Sequence, residues 1–330
     1  MSSAGMQERL QLVTLDAETH LDEFASDVKT GLSALPKRLS CRFLYDHRGS
    51  ALFEKICELP EYYITRTERR ILAGCADEIT AMFPEWISLV ELGSGSSAKT
   101  RVLIDAFLRR HDALRYAPVD ISSTILEESS LALLKDYPRL RVHAVAAEYE
   151  DGLDRLKTMN DRAKLILWLG SNVGNFSRAE AALFLRRVRS SMQPKDRFLI
   201  GMDLRKDRGV LERAYDDASG VTAAFNLNLL VRVNRELGGH FNLDAFRHRA
   251  TYSEEEGGVK IYLDSLQDQT VPVDRLGMKV PFKAGESIHT ENSYKYSLEE
   301  IDVLSRRAGF RIERQWQDED RYFSVTLLAP

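Results

Sequence analysis

From residue 87 onward, hydrophobic and polar positions alternate between two kinds of segment. Ile87 to Leu92 is a mostly apolar run of the length of one buried strand, followed by the turn Gly93-Ser94-Gly95-Ser96-Ser97 and by helical apolar spacing over Lys99–Arg110. The same rhythm recurs. Leu114–Asp120 reads as a second strand ending in an acid, Thr124–Lys135 as a helix, and Arg141–Ala146 as a third strand followed by Glu148-Tyr149. Leu165–Leu169 runs as a fourth strand into Gly170-Ser171-Asn172-Val173-Gly174-Asn175, and Phe198–Met202 is a fifth, ending at Asp203. Strands alternating with helices in this way predict a parallel sheet covered on both faces.

The flanks behave differently. Residues 1–15 read as a loose leading segment. Leu21, Phe24, Val28, Leu32 and Leu35 predict a helix over Thr19–Leu35, ended by Pro36. Helices are expected over Ala51–Cys57 and Ile71–Met82, the latter capped by Thr65 or Thr67. After Leu204 come a helical stretch, Val210–Leu237, and strands around Ala250–Tyr252 and Val259–Leu263; alternation over Val271–Val280 leads to a loop over Pro281–Glu286. The chain closes with a helix over Leu298–Ala308 and strands over Phe310–Trp316 and Tyr322–Leu328. A helix feeding a final hairpin after five strand–helix units resembles the class I methyltransferase (Rossmann-like) sheet with its reversed last strand. The expected organisation is an α/β core of residues 68–204 and 295–330, with a second, smaller α+β substrate-binding domain of residues 1–67 and 205–294. The site is expected between them, where pockets are common.

Composition narrows the function. Net charge is −4 over 330 residues, so no global basic field invites nucleic acid or an anionic membrane, and Arg186-Arg187-Val188-Arg189 reads as a solvated helix face. The three cysteines Cys41, Cys57 and Cys75 have no ligand-like spacing and read as packing residues in a reducing compartment. No metal cluster is evident, and neither a signal segment nor a long hydrophobic span, so a cytoplasmic protein without membrane insertion is expected. A strand, a Gly-rich turn and a helix in that order form a ligand site, because glycines allow close approach and the helix start offers free N–H groups. Gly93-x-Gly95-x-x-Ala98 also fits a dinucleotide fingerprint, so the turn alone leaves the ligand open. Glu91 just before it favours S-adenosylmethionine, whose ammonium needs negative partners. Asp120, ending the second strand, suits the ribose hydroxyls.

Longer motifs carry a more specific resemblance over nearly the whole chain. They are Phe43-Leu44-Tyr45-Asp46, Gly49-Ser50, Leu52-Phe53 and Leu59-Pro60-Glu61-Tyr62-Tyr63-Ile64-Thr65-Arg66-Thr67-Glu68. Glu91-Leu92-Gly93-Ser94-Gly95, Gly170–Asn175 and Arg213-Ala214-Tyr215-Asp216-Asp217 follow. Then come Gly220–Asn226, Val233–Leu237, Gly285-Glu286 and Thr290-Glu291-Asn292-Ser293. In these motifs the chain resembles the histidine Nα-methyltransferases of ergothioneine biosynthesis. That resemblance implies three successive methyl transfers from S-adenosylmethionine to the α-amine of L-histidine, giving hercynine.

Carried over residue by residue, the resemblance implies a donor site of Tyr45, Gly93, Lys99, Asp120, Glu148 and Tyr149. It implies an acceptor pocket of Phe53, Tyr62, Gly170, Asn175, Tyr215, Ile261, Glu291 and Ser293, with Asn175 and Tyr215 as the catalytic residues. Tyr45 and Lys99 would hold the methionine carboxylate. Tyr62, Asn175 and Tyr215 offer neutral donors to the substrate carboxylate, with no fixed cation to oppose a trimethylammonium product. Glu291 and Ser293, two apart on an extended segment, share a face and can bind both imidazole nitrogens. Two places depart from the family pattern: Ile261 stands where a Met is frequent, and Glu148 where an Asp is usual. In-line methyl transfer from a sulfonium needs positioning and a neutral amine rather than a catalytic His, Cys or metal. The rival acceptor is tryptophan, whose single donor would underuse Glu291. A nicotinamide oxidoreductase is disfavoured by the final hairpin and by the lack of a proton relay; a silent amino-acid binder would bind histidine without donor turnover. A monomer is expected, since no coiled coil or interface stripe is present.

Overall fold

A computed structural model of the chain describes residues 8–14, 19–159 and 162–330, and these fall into two compact units. The first comprises the described residues of 1–15, 64–205 and 295–330; the second those of 16–63 and 206–294.

Leu10–Thr14 is strand β1, where a loose segment is expected; it adds to the edge of the main sheet by parallel pairing with Leu140–Ala146. The chain then enters the second unit as α1 (Thr19–Ser33), which buries Phe24, Val28 and Leu32, and the short β2 (Lys37–Arg38). Helix α2 (His47–Glu58) begins four residues before the expected start, because the Asp46 carboxylate caps it by accepting from the Gly49 N–H at 2.8 Å. Returning to the first unit, α3 (Ile64–Ala81) starts before Thr65, so neither Thr65 nor Thr67 caps it; both lie inside the helix. The alternation then follows: β3 (Ser88–Leu92), α4 (Arg101–Arg110), β4 (Leu114–Asp120), α5 (Ser123–Asp136), β5 (Leu140–Ala146), α6 (Tyr149–Leu156), β6 (Lys164–Trp168), α7 (Arg178–Ser190) and β7 (Arg197–Asp203).

The expected helix over Val210–Leu237 is two helices in the second unit, α8 (Arg208–Tyr215) and α9 (Val221–Leu237). Gly220 breaks it with a left-handed φ of +75°. Asp217 stabilises the break by accepting from the backbone N–H of Val221 (3.0 Å) and Thr222 (2.7 Å) and from the Ser219 hydroxyl (2.6 Å). Strands β8 (Phe246–Ser253), β9 (Gly258–Ser265), β10 (Gln269–Val273), β11 (Met278–Phe282) and β12 (Ser287–Tyr294) complete that unit. The first unit closes with α10 (Leu298–Arg307), β13 (Arg311–Gln317) and β14 (Phe323–Ala329).

The main sheet has the order β1-β5-β4-β3-β6-β7-β14-β13, parallel from β1 to β7, with β14 antiparallel to β7 and β13 antiparallel to β14. This is the Rossmann-like class I methyltransferase sheet with one added edge strand. Its central strands are apolar on both sides because helices cover both faces; β3, β6 and β14 are buried along their whole lengths. In the second unit the order is β2-β12-β9-β8, with a separate β10-β11 hairpin. Among the described residues no helix is long and apolar enough to cross a membrane.

Candidate active site

The crest of the first unit's sheet is built around the turn after β3. Gly93 and Gly95 take positive φ, 72° and 48°, which side-chain-bearing residues rarely adopt. A Cβ on Gly93 would lie 2.8 Å from the Tyr149 hydroxyl and 3.0 Å from Asn172 Nδ2, so only glycine lets these groups approach. Asp120, at the end of β4, accepts from the Gly95 N–H at 2.8 Å and the Ser122 N–H at 3.0 Å; burial nonetheless holds its pKa above the ordinary carboxylate value. The Ser94 hydroxyl is buried in the same turn with no protein partner. Positive-φ glycines, an anchored acid at a strand end and an orphaned hydroxyl make a cradle of the kind a nucleoside-bearing ligand fills. The structure thus brings Gly93, Asp120 and Tyr149 together. Glu148 precedes α6 as its N-cap residue.

Glu91 is not part of that cradle. Its carboxylate is buried and accepts from the Thr100 hydroxyl, 2.7 Å from each oxygen, and from the Tyr116 hydroxyl. It ties β3 to β4 and to the start of α4, and burial pushes its pKa up to about 7. The expectation that it faces a ligand ammonium is therefore corrected. On a strand covered on both faces, the pattern does not say which way a side chain points.

Lys99 is likewise engaged, with its ammonium 2.5 Å from Glu68 on α3. Glu68 is fully buried and also accepts from the Gly170 N–H, at 3.0 and 2.9 Å to its two oxygens. Its bulk explains Gly201 within β7, where a Cβ would lie 1.9 Å from the Glu68 carboxylate. Glu68 thus holds together the Gly170 turn and Lys99, a role the expected site lacks. The signal is present in the sequence: Glu68 stands on the helix face of Ile64, Ile71, Leu72, Cys75 and Ile79, an acid in an apolar stripe. Gly170 (φ +79°) and Asn175 lie on the loop after β6, Asn175 half-buried at the end of a 3-10 turn.

The remaining candidates lie in the second unit. Tyr45, expected with the donor, sits there in a ring cluster, with centroids 5.6 Å from Phe53 and 5.5 Å from Phe225. Phe53 continues to Tyr62 at 6.2 Å, and Tyr62 to Tyr215 at 6.1 Å. The Tyr215 hydroxyl hydrogen-bonds the Ser293 hydroxyl at 2.7 Å. Burial, then the neighbouring Tyr215, Cys57, Tyr45 and Glu291, raise the Tyr62 hydroxyl well above its ordinary pKa, so it stays a neutral donor.

A bulge in β12 between His289 and Glu291 sets the orientation of the last group. Glu291 pairs with Ile261 and Ser293 with Val259, while Ile288 pairs with Leu263. Paired residues share a face, so Ile288, Glu291 and Ser293 all lie on the side of Val259, Ile261 and Leu263. Were the same residues in an unbulged strand, Glu291 and Ser293 would face the other side from Ile288. That face presents a carboxylate, a hydroxyl, a tyrosine hydroxyl and the buried Ile261: acceptors and neutral donors around an apolar floor.

Comparisons with known proteins bear on the family. A family model described as histidine-specific methyltransferase, SAM-dependent, matches residues 24–330. The histidine N-alpha-methyltransferase of Mycolicibacterium smegmatis is 41% identical over 313 residues, covering 95% of this chain and 97% of that one. The histidine N-alpha-methyltransferase of Mycobacterium tuberculosis is 39% identical over 92% of this chain and 94% of its own. The ergothioneine biosynthesis protein 1 of Neurospora crassa is 33% identical over 89% of this chain and 33% of its own.

Proposed function

Because this chain belongs to the family of histidine-specific, SAM-dependent methyltransferases, we infer that it methylates the α-amine of L-histidine. Three successive transfers yield hercynine, the opening step of ergothioneine biosynthesis. The observation that carries the acceptor is the β12 register, which turns Glu291 and Ser293 to the face of Ile261 with the Tyr215 hydroxyl 2.7 Å from Ser293.

In this reading Gly93, Asp120, Glu148 and Tyr149 hold S-adenosylmethionine, with Lys99 and Tyr45 toward its methionine end. When bound, this co-substrate supplies an electrophilic methyl group on a sulfonium. The chain's own residues orient the amine for in-line attack. Tyr62, Tyr215 and Asn175 hold the substrate carboxylate through neutral groups, with Gly170 in the same set, and the ammonium nearest Gly170, that of Lys99, is neutralised by Glu68, so no unpaired cation opposes the trimethylammonium product. Glu291 and Ser293 bind the two imidazole nitrogens, Ile261 forms the apolar wall, and the rings of Tyr45 and Phe53 favour a cationic product. Tryptophan would leave a carboxylate underused, a costly arrangement in a half-buried site.

We also propose a monomer working in a reducing cytoplasm. Cys41, Cys57 and Cys75 form no disulfide, and burial pushes the Cys41 and Cys75 thiols up to about 12, which leaves them unreactive.

The test is incubation of the purified protein with S-adenosylmethionine and each of the twenty amino acids, followed by product masses. Three methyl additions on histidine alone are expected, and Glu291→Ala should lose the preference for histidine. Turnover on tryptophan would overturn the acceptor assignment, and absence of any methylation the activity.

A further inference from the structure

Behind Tyr215 lies a chain of buried hydrogen bonds that the acceptor reading does not use. The Asn226 side-chain amide, on α9, donates to the backbone carbonyl of Tyr262 at 3.0 Å and to His248 Nδ1 at 3.0 Å. His248, on β8, is buried and donates from Nε2 to the Tyr215 carbonyl at 2.8 Å. Each link fixes the next. Because a carbonyl can only accept, the Tyr262 oxygen requires the amide nitrogen of Asn226 on its side. The same nitrogen faces Nδ1, so Nδ1 must accept and the imidazole proton must sit on Nε2, aimed at Tyr215. The orientation is held even though it leaves the Asn226 amide oxygen buried with no partner.

We propose that Asn226 and His248 are positioning residues for the acceptor, a relay that carries the placement of the β9 backbone to Tyr215. Tyr215 is the last residue of α8, where helix carbonyls lack intrahelical donors, and the loop after it reverses into α9. The imidazole N–H satisfies that carbonyl without bringing in a charge. With the carbonyl held by His248 and the hydroxyl by Ser293, the residue is fixed at both ends. The imidazole must be neutral for this, since a proton on Nδ1 would face the Asn226 amide hydrogens. Burial favours the neutral form, against the opposing pull of the Tyr215 carbonyl, Asp216, Asp217 and Asp264. Asp216 approaches Nε2 only to 3.9 Å, and Asp264 is itself paired with Arg249 at 2.6 Å.

The inference rests on Tyr215 contacting the acceptor, and three variants separate the two ideas. His248→Gln keeps a donor at the reach of Nε2; His248→Asn keeps only an acceptor toward Asn226; Tyr215→Phe removes the hydroxyl directly. Each is assayed for histidine KM, kcat and S-adenosylhomocysteine affinity. His248→Asn should raise the histidine KM by about three- to tenfold, the worth of one hydrogen bond, while leaving S-adenosylhomocysteine affinity unchanged. His248→Gln should restore KM to within about twofold of the parent. If Tyr215→Phe raises KM but His248→Asn and His248→Gln both match the parent, the relay is wrong and the acceptor reading stands. If Tyr215→Phe leaves KM unaltered, the acceptor reading itself falls. A loss of S-adenosylhomocysteine affinity in His248→Asn would mark a general structural role and overturn the relay.

Discussion

At the scale of single residues, Glu91 shows how a carboxylate can anchor a ligand turn without touching a ligand. The hydroxyls of Thr100 and Tyr116 both point at it, and burial pushes its pKa to about 7 from an ordinary 4.5. A carboxyl raised in the folded state keeps its proton where the unfolded chain has lost it. Its contribution is therefore full below about pH 4.5 and is lost as pH rises through about 7, with a slope of at most about 1.4 kcal/mol per pH unit. Glu91→Gln cannot titrate and keeps an acceptor for Tyr116. Thermal melting from pH 5 to 8 should show the parent losing stability more steeply than Glu91→Gln; parallel slopes would mean that Glu91 ionises freely in the fold. Asp217 shows the opposite case: burial opposes its charge, but the donors Ser219, Thr222 and Val221 outweigh it and hold the pKa well below the ordinary range.

At the scale of elements, Asp217 matters because it joins α8 to α9. It accepts from both N–H groups that open α9, and α8 ends on Tyr215 two residues earlier. Asp217→Ala should cost about 1 kcal/mol, a fall in melting midpoint of roughly 2–4 °C; an unchanged midpoint would mean that the break holds without its cap. This junction also marks where sequence patterning stops being readable. The strand–helix alternation from Ser88 to Asp203 is legible because each strand is a continuous apolar run and each helix keeps one apolar face. The break inside Val210–Leu237 is masked, since Ala214, Ala218, Val221 and Phe225 keep helical apolar spacing across it although Asp216-Asp217-Ala218-Ser219-Gly220 carries turn residues. Strand β1 is hard to read for another reason: the Leu10-Gln11-Leu12 alternation is too short to separate from a loop, the strand is only five residues long and exposed or half-buried, and it is defined by its pairing with β5. The bulge that turns Glu291 and Ser293 to one side with Ile288 is invisible to a period of two. The pair's shared face is legible; the side it takes is not. Glu68 lies between these cases, because its place on an apolar stripe is visible but its partners, Gly170 and Lys99, are distant in sequence.

At the scale of the whole molecule, the chain passes between its two units four times, near residues 15, 63, 205 and 294, so neither unit is a continuous piece of sequence. The residues assigned to the donor, apart from Tyr45, fall in the first unit, and those assigned to the imidazole of the acceptor in the second. This division makes a prediction that neither unit could make alone. A ligand that binds only the folded state stabilises it by about 2.7 kcal/mol at a hundredfold excess over its Kd. For folding units of about 150–250 residues that moves the midpoint by roughly 2–4 °C per kcal/mol. S-adenosylhomocysteine and L-histidine should therefore each raise the melting midpoint of the parent by several degrees. Asp120→Ala, which removes a carboxylate from the glycine cradle, should abolish the shift produced by S-adenosylhomocysteine while leaving part of the shift produced by histidine. Glu291→Ala should do the reverse. If either variant removed both shifts, the two ligands would depend on one shared structural state, and the assignment of donor and acceptor residues to separate units would have to be given up.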